Sequence, residues 1–506
     1  MGNSVDDRRR RVVPRWWPFS TAANLGQLDA AHEVREARSP TPKAGELEEL
    51  QRDWARDRNA CIAAELVDFA LILGERAIAE DAASWLLENG GVSAISLQLA
   101  AEILTPSAPP EPWRLPALSQ SERRSTISAY RARLRERPRD PLLWVDLARE
   151  YSALGQVVDA RRALQTAIGL APDSRFVLRS ASRFFLHTGD YERAHAVVAG
   201  SPATPTDPWL IAAEIVASEA AGRTSRLVKP GLRLLESERF HPRHVSELAS
   251  ALGTLEHDAG RRKHVRRLFS QALCDPTENS VAQASWLARH MPGFELPDSS
   301  LEAPRAYEAR AWESVRQGDL AEAVQLAKEW LRDEPFASRP ALMGSWVAGT
   351  GVGDFEMAGR LAEAARAANP DDPRLLAEVI YSEASCGRWE EAEKLLPALQ
   401  RLARRDEGRS TEWEVMIVAD KGLIAYRRGD REQGRVYYEQ AIDLATRNDL
   451  NQWAASAHLN HMREEMIANP AAPLDQSKLS WDVNQFPQAA RNVVRQFAER
   501  ITRSRS

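Results

Sequence analysis

Eight glycines recur along this chain at intervals near 34 residues, and this internal repeat limits the possible folds more than any other feature. The intervals between Gly155 and Gly429 are 34, 33, 38, 58, 35, 34 and 42 residues. Around the clearest markers, a large residue stands eleven positions before the glycine, as Trp144 does before Gly155, and small residues stand nearby. The eight markers are Gly155, Gly189, Gly222, Gly260, Gly318, Gly353, Gly387 and Gly429. A unit of this length buries its apolar face only by stacking on its neighbours, which predicts a repeat array.

Each position in the unit has a physical role. Glycine ends a first helix, because the turn needs a residue that tolerates positive φ. Small residues such as Ala148 and Ala160, seven before and five after Gly155, let two helices approach closely. Pro172 and Pro335, seventeen after their glycines, stop the second helix. The pattern therefore predicts two helices per unit.

The stretch from Pro141 to Gly155, with its continuation to Pro172, resembles the tetratricopeptide repeat family most closely. The resemblance covers roughly residues 140–470 and comprises about eight units, several of them degenerate. It implies an all-α fold, an α-solenoid of antiparallel helix pairs stacked into a right-handed superhelix with a concave groove.

Two proline-rich stretches, 105–116 and 291–304, interrupt the helical pattern and predict linkers. The predicted division is residues 1–45, a basic and mostly disordered arm; 46–104, a helical block; 105–139, a proline-rich linker and lead-in helix; 140–290, a first subarray; 291–303, a linker loop; 304–470, a second subarray; and 471–506, a capping helix with a basic tail.

Composition and motifs argue against several classes of protein. Three distant cysteines without a CxxC pair favour a reducing compartment and exclude a disulfide framework. No apolar run approaches membrane-spanning length, so a cytoplasmic location is expected. No catalytic signature, cofactor motif or metal-ligand spacing occurs, which predicts a protein that is not an enzyme. Sixty of the 67 basic residues are arginine, a bias typical of a GC-rich bacterial genome.

The family resemblance also indicates where a ligand would bind. In that family, the first helix of each pair lines the concave groove, at fixed offsets before the turn glycine. These offsets place mainly arginine and aromatic residues in the groove: Arg149, Arg179, Arg183, Arg305, Trp312, Arg316, Arg374, Tyr381, Tyr426 and Arg427. Such a surface favours a polypeptide ligand, and an acidic one in particular. Pairing of these arginines with glutamates on neighbouring helices is an equally weighted alternative.

Positive charge is concentrated at the two ends of the chain. Residues 1–20 carry +3 and residues 488–506 carry +4, which leaves −12 between them in a chain of net charge −5. The N-terminal stretch is a candidate docking arm, with a disordered tail as the alternative; its residues are Arg8, Arg9, Arg10, Arg11, Trp16 and Trp17. A second basic patch comprises Arg261, Arg262, Lys263, Arg266 and Arg267.

Together these observations predict a non-catalytic scaffold or adaptor that binds another protein or peptide as part of a bacterial multi-protein system. The alternative is an accessory protein that binds nucleic acid through its arginine-rich ends and the 261–267 patch.

Overall fold

The computed structural model describes residues 12–17, 44–73, 75–89, 94–104, 120–237, 240–405, 410–469, 482–486 and 490–503. Within these ranges the chain forms 24 α-helices and no β-strand. The all-α class predicted from the repeat is therefore confirmed.

Four helices near the N-terminus form a unit with its own core. Leu66 and Leu86 are fully buried in it, and the indole of Trp54 donates to Asp81 Oδ2 at 2.9 Å. The helices are α1 (Ala44–Arg56), α2 (Ala60–Leu73), α3 (Glu80–Asn89) and α4 (Ala94–Leu104). We call residues 44–104 the N-terminal unit.

The lead-in helix α5 (Gln120–Glu136) packs on the first helix of the array, and helix pairs follow. Asp140 begins that helix by accepting from the Leu142 and Leu143 amides at 3.1 Å, and proline follows the cap directly. The first subarray comprises α6 (Pro141–Ala153), α7 (Val157–Leu170), α8 (Arg175–His187), α9 (Tyr191–Ala199), α10 (Pro208–Ala220), α11 (Val228–Glu236), α12 (Pro242–Asp258), α13 (Arg262–Ala272) and α14 (Glu278–His290).

The second subarray repeats this arrangement. Asp319, Asp354 and Asp430 each follow a turn glycine and cap the next helix through a backbone amide. Its helices are α15 (Tyr307–Gln317), α16 (Leu320–Asp333), α17 (Ser338–Trp346) with the π-turn Val347–Val352, α18 (Phe355–Arg366), α19 (Pro373–Ser385), α20 (Trp389–Ala403), α21 (Ser410–Arg428), α22 (Arg431–Arg447), α23 (Asn451–Ala468) and the C-terminal α24 (Arg491–Arg503).

All eight marker glycines have positive φ, from +69° at Gly222 to +95° at Gly429. This confirms that glycine is needed at the turn between paired helices, because other residues rarely adopt that conformation. The small residues of the pattern, Ala148, Ala160 and Ala311 among them, are fully buried between helices. The array is thus tetratricopeptide-like in both its period and its packing.

Residues 291–303, the predicted linker loop, lie against the array without forming an α-helix. Met291 is buried, Phe294 packs edge-on against Phe269 at 5.7 Å, and a 3₁₀ turn spans Asp298–Glu302. The stretch therefore joins the two subarrays as a packed connection.

The first subarray also contacts the second one far along the chain. Arg149 of α6 donates to the Asp333 carbonyl at 2.7 Å, and the His187 ring lies 5.3 Å from that of Phe336. At Gly155 an added Cβ would lie 2.1 Å from the Ala367 carbonyl oxygen, so only glycine fits this contact. The array therefore folds back on itself, and α6 and α8 approach the ends of α16 and α18.

Candidate functional site

Residues 12–17 of the N-terminal arm lie buried where the two subarrays meet. The side chains of Val12, Trp16 and Trp17 are at most 4% exposed. We call residues 12–17 the anchor segment, and we call the surface around it the central site. The central site is formed by Arg149, Phe184, Asn279, Glu308, Glu334 and Phe336.

The main chain of the anchor segment is held by side chains of the array. Asn279 Nδ2 donates to the Val13 carbonyl at 2.8 Å, and Arg149 Nε donates to the Trp16 carbonyl at 3.1 Å. Residues 12–17 belong to no helix or strand, so their carbonyls depend on such outside donors. This mode of binding recognises an extended backbone whatever its side chains are.

The Arg15 side chain lies between two carboxylates of the second subarray. It donates to Glu308 at 3.0 Å and also to Glu334. Burial lowers the pKa of Arg15, but the two carboxylates outweigh that effect and the pKa is raised overall. Burial likewise raises the pKa of Glu334, yet Arg15 and Arg183 hold it below its usual value. Each charge in this buried group therefore depends on its partners.

The two tryptophans of the anchor segment are held by aromatic and cation–π contacts. The Trp16 ring lies 5.2 Å from Phe336 and 6.2 Å from Phe184. The Arg305 guanidinium lies 4.7 Å from the Trp17 ring centroid. Neither indole N–H donates to a described residue, and the contacts that hold both rings are made by their apolar and π surfaces.

The arginines predicted for the first half of the groove do lie near this site, but they are internally paired. Arg179 donates to Glu247 at 2.9 Å and covers the Trp209 ring at 4.6 Å. Arg183 lies 3.6 Å from Glu334, and Arg305 lies 3.5 Å from Asp333. These arginines therefore pair with acidic residues inside the array, but Glu247 and Glu334 do not lie on the helices next to those of Arg179 and Arg183.

Three predicted groove residues lie in local contacts away from the anchor segment. Arg289 covers the Trp312 ring at 4.5 Å. Arg316 pairs with Glu313 one turn earlier on its own helix, and its side chain is 70% exposed. Arg374 donates to Asp372, the residue that caps its helix, at 2.7 Å.

Tyr381, Tyr426 and Arg427 belong to a second polar cluster, built from α19, α21 and α23. Tyr381 donates to Asn460 Oδ1 at 2.9 Å and accepts from Arg463 at 2.7 Å. Tyr426 donates to Glu465, and Arg427 pairs with Glu464 at 2.9 Å. The cluster thus joins three successive helix pairs.

Two further carboxyls on α19 and α21, Glu378 and Asp420, have no ion pair with a described residue. Ser345 donates to Glu378 at 2.9 Å, while Asp420 Oδ2 is buried without a hydrogen-bond partner. Burial raises the pKa of Glu378 to about 7 and that of Asp420 well above its usual value. The carboxyls of the central site face arginines, whereas these two do not.

The sequence pattern missed several residues of the central site, for different reasons. Glu247, the partner of Arg179, stands thirteen residues before Gly260. Arg305 stands at the same offset before Gly318, so this offset would have located Glu247 as well. Asn279 lies on α14, a helix that ends without a marker glycine, and Glu334 lies at the end of a second helix. No signal in the sequence points to either residue.

The basic patch at 261–267 is exposed at the start of α13, but several of its charges are already engaged. Arg261 pairs with Glu256, Arg266 donates to the Gly293 carbonyl at 3.4 Å, and Arg267 approaches Glu236. Arg262 and Lys263 are exposed and have no ion pair with any residue that the structure describes. Two such cations make a small target for nucleic-acid phosphates.

The candidate docking arm divides between two parts of the chain. Trp16 and Trp17 belong to the anchor segment, whereas Arg8–Arg11 lie outside the described residues. In the described ranges, no group of three His, Cys, Asp or Glu side chains is arranged to hold a metal ion. None of the helices there combines the length and apolar character that crossing a bilayer requires.

No protein-family model matches this sequence, and no curated protein matches it either. Among solved structures, the chain is similar to that of the APC/C hetero-tetramer Cut9–Hcn1, with a TM-score of 0.37, 12% identity, and coverage of 86% of this chain and 92% of that one. It is also similar to the human IFIT1 dimer with PPP-AAAA (TM-score 0.29, 12% identity, 94% and 99% coverage) and to yeast Tom70 (TM-score 0.29, 12% identity, 92% and 97% coverage).

Proposed function

We propose that this chain is a non-catalytic interaction scaffold whose central site holds an extended polypeptide. The observation that carries the proposal is the anchor segment itself. Its carbonyls accept from Arg149 and Asn279, and its arginine lies between Glu308 and Glu334. The site thus combines sequence-independent backbone contacts with a specific side-chain position, as peptide-binding surfaces do.

The central site favours a ligand with a cationic residue followed by aromatic ones. Its own arginines are already paired, Arg179 with Glu247 and Arg305 with Asp333. An acidic ligand would have to compete with those buried carboxylates, which is unfavourable. We therefore propose a basic, aromatic segment in place of the acidic ligand that the groove arginines suggested.

We also propose that the chain works as part of a multi-protein system. A site for an extended segment, without a reacting group to act on it, serves assembly. The arginine bias of the sequence supports a bacterial source, and the cysteine pattern supports a cytoplasmic location. The partner would be another subunit that contributes the basic, aromatic segment.

A synthetic peptide tests this proposal. A fluorescent peptide with the sequence of residues 8–20 is titrated into the full chain carrying Trp16→Ala and Trp17→Ala, in which the resident segment is weakened. We expect saturable binding by fluorescence anisotropy. The matched control peptide carries Arg15→Glu and should bind at least about tenfold more weakly, because it places a carboxylate between two others.

The binding surface is tested from the other side by Asn279→Ala, which removes one donor to the peptide backbone. Weaker binding to this variant would locate the peptide in the central site. Equal binding of both peptides, or no binding at millimolar peptide, would contradict the proposal.

A further inference from the structure

Trp17 lies in the central site, and further along the chain helix α5 packs on the array. The intervening residues, 18–119, include the N-terminal unit with its own core. Both ends of this stretch are therefore fixed on the array, one by the anchor segment and the other by a covalently continuous helix. The contacts that the anchor segment and α5 make with the array therefore decide how firmly the N-terminal unit is attached.

The two ends meet at one pair of side chains, Arg149 and Glu150, which we call the junction. Arg149 Nε donates to the Trp16 carbonyl at 3.1 Å, and its Nη1 donates to Glu150 Oε1 at 3.1 Å. The other oxygen, Glu150 Oε2, accepts from Arg123 of α5 at 2.8 Å. A continuous chain of hydrogen bonds thus links the anchor segment to the lead-in helix.

The junction is buried, which makes its contacts interdependent. Arg149, Glu150 and Arg123 are 1%, 2% and 4% exposed. Arg149 also donates to the Asp333 carbonyl of the second subarray at 2.7 Å. When the Trp16 carbonyl departs, Arg149 Nε loses its acceptor in a place that water reaches poorly, and this loss favours a replacement carbonyl.

The anchor segment is the exchangeable end of the stretch. It comprises six residues outside any helix, and its contacts come from side chains of other elements. Helix α5, in contrast, is joined to α6 by the short turn 137–140, and the two helices pack through Ile127, Leu134, Leu143 and Leu147. Any segment with the same chemistry could occupy the central site while α5 stays in place.

We propose that residues 12–17 are an internal ligand that a partner displaces, and that displacement frees one end of residues 18–119 from the junction. The partner's segment would carry an apolar residue, an arginine and two aromatic residues in the order found here. This inference rests on the proposed function of the central site. Its consequence is that partner binding changes the N-terminal unit from attachment at both ends to attachment at one.

The anchor segment and the partner's segment compete for the central site. A tethered ligand acts at an effective concentration that is set by the length and stiffness of its tether. The partner's apparent affinity is reduced by the fraction of chains whose site is occupied internally. A variant with a weakened anchor segment should therefore bind the partner peptide more tightly than the unmodified chain.

Native cysteines provide the measurement. Cys61 lies exposed on α2 of the N-terminal unit, and Cys274 lies exposed in the array, just after α13. With Cys386→Ser as background, spin labels on these two residues report their separation in the full chain. We expect that a saturating concentration of the peptide with the sequence of residues 8–20 will shift and broaden the distribution of Cys61–Cys274 distances. Trp16→Ala with Trp17→Ala should produce the same change without peptide.

Trp16→Phe is the matched control, because the Trp16 indole N–H makes no hydrogen bond and a smaller aromatic ring preserves the stacking. This variant should keep the unmodified distribution. Circular dichroism identifies variants that lose helix, and for those Asn279→Ala replaces the tryptophan pair.

The outcomes separate the two proposals. Peptide that binds the weakened chain but leaves the label distribution of the unmodified chain unchanged at saturation would overturn the displacement and leave the proposed function standing. Peptide that binds neither form removes the proposed function and the displacement with it. Binding together with a changed distribution supports both.

Discussion

Residues 12–17 and helix α24 both pack against the array, but they do so by different physical means. The anchor segment belongs to no helix or strand, so its carbonyls need donors from Arg149 and Asn279. The C-terminal helix α24 satisfies its own backbone and presents an apolar stripe of Val493, Phe497 and Ile501. An end that depends on outside donors can be replaced by another chain, whereas a helical end acts as a cap.

Helix α24 also uses its polar side chains, but toward the turns of the array. Asn492 donates to the Arg316 carbonyl and Gln496 donates to the Gly318 carbonyl, both at 2.7 Å. Arg500 donates to the Thr350 carbonyl at 2.8 Å. These contacts satisfy carbonyls at the ends of two helices, which is the task of a capping element.

The largest expected effect concerns the anchor segment. Trp16→Ala with Trp17→Ala removes two buried rings. Each loss should cost about 3–5 kcal/mol, and the total cannot exceed the free energy with which the segment docks on the array. We expect faster amide hydrogen exchange in α6 and α8, with helix content unchanged. Exchange that stays at the unmodified rate would mean that these rings do not hold the central site together.

Phe497→Ala should have a somewhat smaller effect, confined to the second subarray. One buried ring is lost from the contact between α24 and α23, at a cost of about 3–5 kcal/mol. Limited proteolysis should then cut within α24 before it cuts the array. Unchanged peptide binding at the central site is the matching control, since α24 does not contact the anchor segment in the described contacts.

Glu378, which has no ion pair with a described residue, should give a pH dependence of stability opposite to that of Glu334, which is paired with arginines. Glu378 holds its proton in the folded chain up to about pH 7, against an ordinary value of 4.5. The contribution of Glu378 to the free energy of unfolding is therefore fully present below pH 4.5 and falls as the pH rises to about 7, by up to about 3 kcal/mol. Glu378→Gln should remove this fall, so that the variant gains stability relative to the unmodified chain at pH 8.

Glu334 supplies the contrast, because Arg15 and Arg183 lower its pKa. Its contribution is present above the ordinary pKa and is lost as the pH falls through the lowered folded value. Chemical denaturation of both glutamine variants at pH 3, pH 5 and pH 8 measures the two directions, because the Glu334 contribution changes only below its ordinary pKa of 4.5. Parallel profiles would contradict the difference in pairing.

The smallest effect is expected for Arg316→Ala and Arg374→Ala, each of which removes a local ion pair. Arg316 pairs with a residue of its own helix, and Arg374 pairs with the residue that caps its helix. The free energy of unfolding, measured by thermal denaturation, should therefore change by no more than about 0.5 kcal/mol. Peptide binding should also be unchanged. A marked loss of binding in either variant would extend the ligand beyond the central site.

Much of the fold could be predicted from the sequence because its causes are local. A positive φ at Gly155 and a helix cap at Asp140 depend on a few neighbouring residues, and both are visible in the pattern. The groove offsets also placed Arg149 and Arg305 in the region of the central site. They could not show what Arg149 contacts across the array, since the Asp333 carbonyl that accepts from it stands 184 residues away along the chain.

By itself, the sequence determined the repeat, the helix pairs and the turns, because period, caps and glycines act over fewer than about 40 residues. Only the tertiary structure decided what fills the site between the subarrays. Arg15 meets Glu308 and Glu334 across about 300 residues, and such pairing depends on how the array closes. Burial then makes those contacts strong, because buried charges and carbonyls need partners wherever in the chain they come from.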